Sequence, residues 1–196
     1  MLNPTPPTVY LKDYRPPEFL IQAAELDFDL HDSYTEVRAR LDLARNPQCA
    51  APGGALVLDG VALELREVAI DGRNLNPPYY RVDHEHLIIE QVPDRFVLTS
   101  VVRIFPEHNT QLMGLFASRD GYFTQCEAEG FRRITYFLDR PDVMTRYTTT
   151  VHADRARFPV LLSNGNQVAA GSEGARHWVK WVDPFPKPSY LFALVA

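Results

Sequence analysis

The sequence predicts an all-β protein, antiparallel in its pairing, built as a β-sandwich or an open curved sheet with at most short helical turns. Three observations carry this. Apolar residues recur at every second position along several stretches, giving strands with one buried and one wet face. Turn dipeptides separate these stretches at short intervals. No stretch of helical period is long enough for an amphipathic helix, and the 16 prolines suit edges and connections, because proline cannot donate to a ladder.

In chain order, Leu26, Phe28 and Leu30 alternate with Asp27 and Asp29. Thr35, Val37, Ala39, Leu41 and Leu43 alternate with Glu36, Arg38, Arg40 and Asp42. Ala55–Leu58 is a short apolar run, and Leu63 and Leu65 alternate with Glu64 and Arg66. Further strands are predicted at His86–Glu90, Arg95–Phe105, Thr145–His152, Val160–Leu162, Trp178–Val182 and Tyr190–Val195. Asp59-Gly60, Asp71-Gly72 and Asn164-Gly165 are hairpin dipeptides, and Pro52-Gly53-Gly54 reads as a loop. One or two helical turns are expected near Ile134–Met144, ended by Pro141. The final stretch, Tyr190–Ala196, is the most apolar. It reads either as a terminal strand buried in the sheet or as an uncovered edge, left by excision from a longer chain and prone to self-association.

A chain of 196 residues is one large domain or two small ones. It buries enough surface to fold without a disulfide or metal staple. A net charge of −5 argues against a nucleic-acid partner, since neutralising phosphates needs clustered Lys and Arg. No apolar run reaches the ~20 residues of a membrane span, so no membrane partner is expected. Met1–Tyr10 is polar and Pro-rich, unlike a secretory signal. Cys49 and Cys126 form no C-x-x-C pair, and a reducing, cytoplasmic setting is the simplest reading.

Several chemistries fail on motif grounds. His84-Glu85 opens like H-E-x-x-H, but Ile88 stands where the second imidazole is needed. His84 and His86 could share a strand face, though such a pair usually serves no metal. G-x-S-x-G, Walker and G-x-G-x-x-G patterns do not occur. One segment, Tyr122–Arg132, stands out. If extended, it puts Gln125, Glu127 and Glu129 on one face, with Cys126 and Ala128 on the other. That face could hold a cation such as a substrate ammonium. It could also ligate a hard metal, or act as an acid/base pair with carboxylates ~7 Å apart. It could equally be a solvated strand face paired with Arg132 and Arg133. In the tail, Trp178 and Trp181 could form a sugar-stacking platform, and Asp183–Pro188 could be a polyproline ligand. Either would make the chain a carbohydrate- or protein-binding β-sandwich module. The plain alternative is a core strand followed by a rigid connection.

Gln125–Arg132 followed by Ile134–Val143 closely resembles the amino-terminal domain of the bacterial aminopeptidase N family, which are zinc-dependent gluzincin peptidases. Leu161–Asn166, Asp183–Pro188, Tyr190–Ala196 and Lys12–Pro17 extend the likeness over essentially the whole chain, residues 1–196. The resemblance implies a curved, saddle-like β domain lying against a thermolysin-like catalytic domain of the same polypeptide. It implies that Glu127 binds the free α-amino group of a peptide substrate and that Gln125 lines the pocket for its first side chain. Glu129 and Arg132 are implied, more weakly, to position the loop. The family's H-E-x-x-H, its third zinc-binding Glu, its G-A-M-E-N strand and its later catalytic Tyr have no counterpart in these 196 residues. Zinc, which would supply the Lewis acid and the activated water, is therefore expected in a full-length enzyme, with no metal and no catalytic residue in this segment. The segment alone is expected to be inactive.

Overall fold

The structure, a computed structural model, describes residues 8, 10–49, 54–119 and 121–196. The described residues form fifteen strands: β1 (Phe19–Leu30), β2 (Thr35–Arg45), β3 (Leu56–Asp59), β4 (Glu64–Ile70), β5 (Arg73–Asn74), β6 (Arg81–Val82), β7 (His86–Ile89), β8 (Arg95–Ile104), β9 (Gly114–Ser118), β10 (Gly121–Gln125), β11 (Thr145–Asp154), β12 (Leu162–Ser163), β13 (Asn166–Glu173), β14 (Arg176–Lys187) and β15 (Leu194–Val195). The only helices among the described residues are short 3-10 turns. None is long and apolar enough to cross a membrane.

Eight strands form one sheet in the order β13-β14-β11-β1-β2-β8-β4-β5. Four form a second sheet, β12-β15-β10-β9, and three a third, β3-β7-β6. One hydrophobic core joins them. Phe28, Leu41, Leu98, Tyr147 and Val151 come from the large sheet, Leu115, Tyr122 and Leu194 from the second, and Leu56, Leu58, Leu87 and Ile89 from the third. β2 follows the alternation expected of it, with Thr35, Val37, Ala39, Leu41 and Leu43 all buried. In β1 a register shift between Ile21 and Ala23 switches the parity. Phe19 and Ile21 on one side of the bulge, and Ala24, Leu26, Phe28 and Leu30 on the other, thereby all reach the core.

All-β is therefore correct, but the large sheet is mixed. β1 and β11 pair in parallel, from Ala23 opposite Arg146 to Asp29 opposite His152. Alternation reports which face is wet and carries no information about strand direction, so the sequence could not distinguish this pair. Asp71-Gly72 makes the expected β4–β5 hairpin, with φ of 48° and 76°. Asp59-Gly60 and Asn164-Gly165 do not make hairpins. At the first, the chain leaves β3, which pairs with β7, for β4, which pairs with β8. At the second it passes from β12 to β13, in a different sheet. The hairpin that does form nearby, β13–β14, turns at Gly174 with φ 60° and pairs Glu173 with Arg176.

One expectation is corrected, one strand was not foreseen, and one open alternative is decided. Ile134–Met144 is irregular, and the helical turn lies just before it, at Phe131–Arg133. β13 carries no clean alternation because it is the edge of the large sheet, with Val168 exposed. The tail is no uncovered edge: Phe192 and Leu194 are buried, and β15 is flanked by β10 and β12. The loop at Pro52-Gly53-Gly54, apart from Gly54, and the start Met1–Tyr10, apart from Thr8 and Tyr10, lie outside the described residues.

Candidate functional site

β10 carries the first of the singled-out residues. It pairs with β9 along its whole length, Gln125 opposite Gly114, and with β15 where Phe123 faces Val195. Tyr122 points into the core, and the Thr124 hydroxyl accepts from the Leu194 amide at 2.8 Å. Phe123 and Gln125 therefore project from the outer face.

The strand ends at Gln125, and the expected period-two face ends with it. Cys126 turns inward and is buried, which pushes its thiol pKa well up. Its carbonyl accepts from the Gly130 amide at 2.8 Å, closing a single turn over Cys126–Gly130. Glu127, Ala128 and Glu129 are all exposed at the crest, so Ala128 does not oppose the two carboxylates as an extended segment would require. The Glu127–Ala128 peptide bond is cis. Gly130 explains why the chain can fold back here. A Cβ on it would lie 2.3 Å from the Gln125 carbonyl oxygen and 2.8 Å from the Cys126 Cα. Phe131 then anchors the far end of the turn among Phe137, Phe192 and Tyr147, at ring separations of 4.7, 5.2 and 6.0 Å.

The two carboxylates are not equivalent. Glu129 reaches Arg132 at 3.5 Å. The Glu127 carboxylate makes no ion pair or side-chain hydrogen bond among the described residues, while its backbone carbonyl accepts from Gln125 Nε2 at 3.2 Å. Arg132 is held from below. Its backbone amide and its Nε both donate to Asp139 Oδ2 at 3.1 Å, and its Nη2 donates to the Asp139 carbonyl at 3.1 Å. Asp59 lies 3.7 Å from Nη1. Asp139 is buried, and its Oδ1 accepts from the Ser189 hydroxyl at 2.5 Å. Burial pulls the Arg132 pKa down, but the surrounding carboxylates of Asp59, Asp139 and Glu129 outweigh it and leave the guanidinium more firmly charged. Arg132 is thus committed to Asp139 and Glu129, and Glu127 stays uncompensated.

Arg132 and Glu129 came from the motif. Asp59 and Ser189 did not, and Asp139, though inside the Ile134–Val143 block, was given no role, although a lone Asp directly after the apolar run Tyr136–Leu138 was a signal for a paired buried acid.

The arrangement can attract a cation at Glu127. As an acid/base pair, Glu127 and Glu129 sit side by side on one turn rather than across a cleft. Among the described residues no three His, Cys, Asp or Glu side chains converge to hold a metal ion. His86 pairs with Asp83 at 3.2 Å, and His84 is exposed. The sugar platform is corrected outright. Trp178 pairs with His152, whereas Trp181 pairs with buried Thr149. Three positions apart on a strand, the two indoles occupy opposite faces. The Pro-rich run is no free ligand either, since β14 continues through it and Lys187 pairs with Thr145.

Comparison with known proteins finds relatives over nearly the whole chain. The sequence profile of the Peptidase M1 N-terminal domain matches residues 25–191. Aminopeptidase N of Caulobacter vibrioides is 54% identical over 197 residues, covering 100% of this chain and 22% of the relative. Aminopeptidase N of Escherichia coli is 47% identical, covering 97% of this chain and 22% of the relative. The chain therefore spans about a fifth of the length of the curated relatives it matches. A crystal structure of Legionella pneumophila aminopeptidase A in complex with aspartic acid superposes with a TM-score of 0.91 at 34% identity, covering 95% of this chain and 22% of that one. An M1 zinc metallopeptidase variant of Deinococcus radiodurans, bound to a Tyr-Ser-Ala substrate, shares the fold with a TM-score of 0.76 at 14% identity, covering 91% of this chain and 42% of that one. With the profile spanning most of its length, the chain belongs to the peptidase M1 N-terminal domain family.

Proposed function

We propose that this chain is the amine-anchoring part of a longer zinc aminopeptidase that releases amino-terminal residues from peptides. One observation carries the reading. Glu127 presents an exposed carboxylate with no counter-ion among the described residues, on a turn fixed at both ends by buried residues. Such a group pairs with a peptide's α-ammonium, which an internal peptide unit lacks, and so selects chain ends. Gln125, next to it on the outer face of β10, would line part of the pocket for the first side chain. Two solved relatives, crystallised with an amino acid and with a short peptide, are in keeping with that substrate class.

The described residues offer no zinc site, so no hydrolytic step is derived from them. In the full polypeptide zinc would be held by the catalytic domain and would supply the Lewis acid and the activated water. The partners are then a peptide substrate and that catalytic domain, with no nucleic acid and no membrane, in line with the net charge of −5. Two free thiols, Cys49 and Cys126, favour a cytoplasmic setting.

In the full-length enzyme, Glu127→Gln should lower kcat/KM for free-amine peptides about tenfold to a hundredfold, the value of a charge-assisted contact of roughly 1.5–3 kcal/mol. Glu129→Gln should change it less than about threefold, because Glu129 faces Arg132 and an exposed pair contributes little. Unchanged kinetics for Glu127→Gln would remove Glu127 from the site. The 196-residue segment alone should show no turnover of an aminoacyl chromogenic substrate and no stoichiometric zinc by elemental analysis.

A further inference from the structure

Among the described residues, Arg38, Arg66, Arg73, Arg95, Arg119 and Arg133 make no hydrogen bond or ion pair through the guanidinium. Five of them are exposed and served by water, whereas Arg133 is half-buried. A guanidinium carries five N–H donors and cannot shed its charge. Drawn away from water, it calls for an anionic acceptor. Its neighbour Arg132 has such partners in Asp139, Asp59 and Glu129. Arg133 has no counterpart to them among the described residues.

Arg133 lines a cavity of about 230 Å³ beside the start of β9, together with Ile104, Phe105, His108, Asn109 and Leu115. Among the described residues no Asp or Glu lines it. Glu107, next in sequence to His108, is engaged elsewhere, accepting from the Tyr122 hydroxyl at 2.9 Å and from Arg157 Nη2 at 2.6 Å. The His108 ring stacks on Phe105 at 6.1 Å and adds a ring N–H donor. The volume falls below the ~300 Å³ at which sites for drug-sized molecules begin, and it suits one small charged group.

Asn109 selects among oxyanions. Its Nδ2 donates to the carbonyls of Met113 and Leu115, both at 2.8 Å, which fixes the orientation of the amide. Its Oδ1 is shielded from solvent and has no donor among the described residues. Sulfate and carboxylates bring negative oxygens for Arg133 but, at neutral pH, no proton for Asn109. Hydrogen phosphate brings both. Its negative oxygens accept from Arg133 in the two-pronged manner that guanidinium favours, and its remaining O–H donates to Asn109.

Gly114 sets this cavity against the candidate site. A Cβ on it would lie 2.7 Å from the Arg133 Cβ and 3.1 Å from the Gly130 carbonyl oxygen, so a side chain there would push the turn off β9. Gly114 also pairs with Gln125, and the Arg133 amide donates to the Gly130 carbonyl at 3.0 Å. An ion held by Arg133 therefore bears on the same turn that presents Glu127.

We propose that the cavity lined by Arg133, His108 and Asn109 is a binding site for inorganic phosphate, taken as hydrogen phosphate. The test is isothermal titration calorimetry of the full-length native polypeptide with inorganic phosphate, at neutral pH and constant ionic strength. Arg133→Gln should weaken phosphate binding at least about tenfold, the loss of a charge-assisted pair. Arg133→Lys, which keeps the charge without the fork, should retain part of the affinity. Sulfate should bind the parent at least about fivefold more weakly than phosphate, because it leaves the Asn109 oxygen unmet. Equal phosphate affinity in the parent and Arg133→Gln overturns the site. A lower melting temperature for that variant with unchanged phosphate affinity assigns the guanidinium to a carboxylate elsewhere in the polypeptide, and also overturns it. Equal affinities for phosphate and sulfate, both lost in Arg133→Gln, overturn the assignment to hydrogen phosphate.

Discussion

Asp139 supports the turn of the candidate site from below, through Arg132. Its side chain is fully shielded and satisfied by Arg132 and Ser189. Asp139→Asn keeps the shape but leaves the half-buried guanidinium with one fewer charge partner. Loss of a buried partner costs about 3 kcal/mol, and urea unfolding should show a shift of that order. Ser189→Ala, which removes a single hydrogen bond, should cost about 1 kcal/mol. In the full-length enzyme Asp139→Asn should also raise KM for free-amine peptides, because Arg132 no longer steadies the turn beneath Glu127. At this scale the sequence exposed the groups that meet solvent and hid those that support them. The exposed positions of Gln125 and Glu127, the proposed anchor, could be picked out because a local motif contains them both. Ser189 and Asp139 meet 50 positions apart, and no local pattern encodes that distance.

The turn over Cys126–Gly130 shows where period-two reasoning stops. Up to Gln125 the alternation holds, with Tyr122 inside and Phe123 outside. It fails at the following residues because Gly130 lets the backbone cross over Gln125 and Cys126. The mark in the sequence was the glycine followed by a buried aromatic, a stop signal that the extended reading passed over. Gly130→Ala should therefore be more damaging than its small size suggests. Its Cβ meets backbone atoms rather than a flexible side chain, so the turn itself must shift. A loss of at least about 2 kcal/mol is expected, with a fall in affinity for the substrate amine in the full-length enzyme. A melting temperature unchanged from the parent protein would contradict it. The hairpin dipeptides teach a related lesson. Asp71-Gly72 joins neighbours in one sheet, whereas Asn164-Gly165 carries the chain between sheets. The dipeptide fixes a sharp reversal, but not which strands it connects.

On the scale of the whole molecule, one core serves three sheets, and the alternation of β1 and β2, with strands expected where β8 and β11 lie, made much of its large-sheet wall readable in advance. What stayed hidden was strand order, above all the parallel neighbours β1 and β11, which are joined across their surface by His152 and Asp27 at 3.2 Å. The hydrogen bond to Asp27 raises the His152 pKa, with burial opposing it and Asp29 adding to the rise. A folded-state value above the unfolded one makes this contribution complete below about pH 6.5 and lost as pH climbs through the folded value. Urea midpoints should therefore fall between about pH 6 and 8.5, and Asp27→Asn should flatten that fall. The same neighbours set a timetable for biosynthesis. Thr145 donates its hydroxyl proton to the Ile21 carbonyl, 124 positions earlier, so β1 has no partner on that flank until β11 leaves the ribosome. At ~5–20 residues per second, the nascent β1 waits on the order of ten seconds with one edge open. During that interval β2, its other neighbour, is the protection it has against capture by a chaperone or another growing chain.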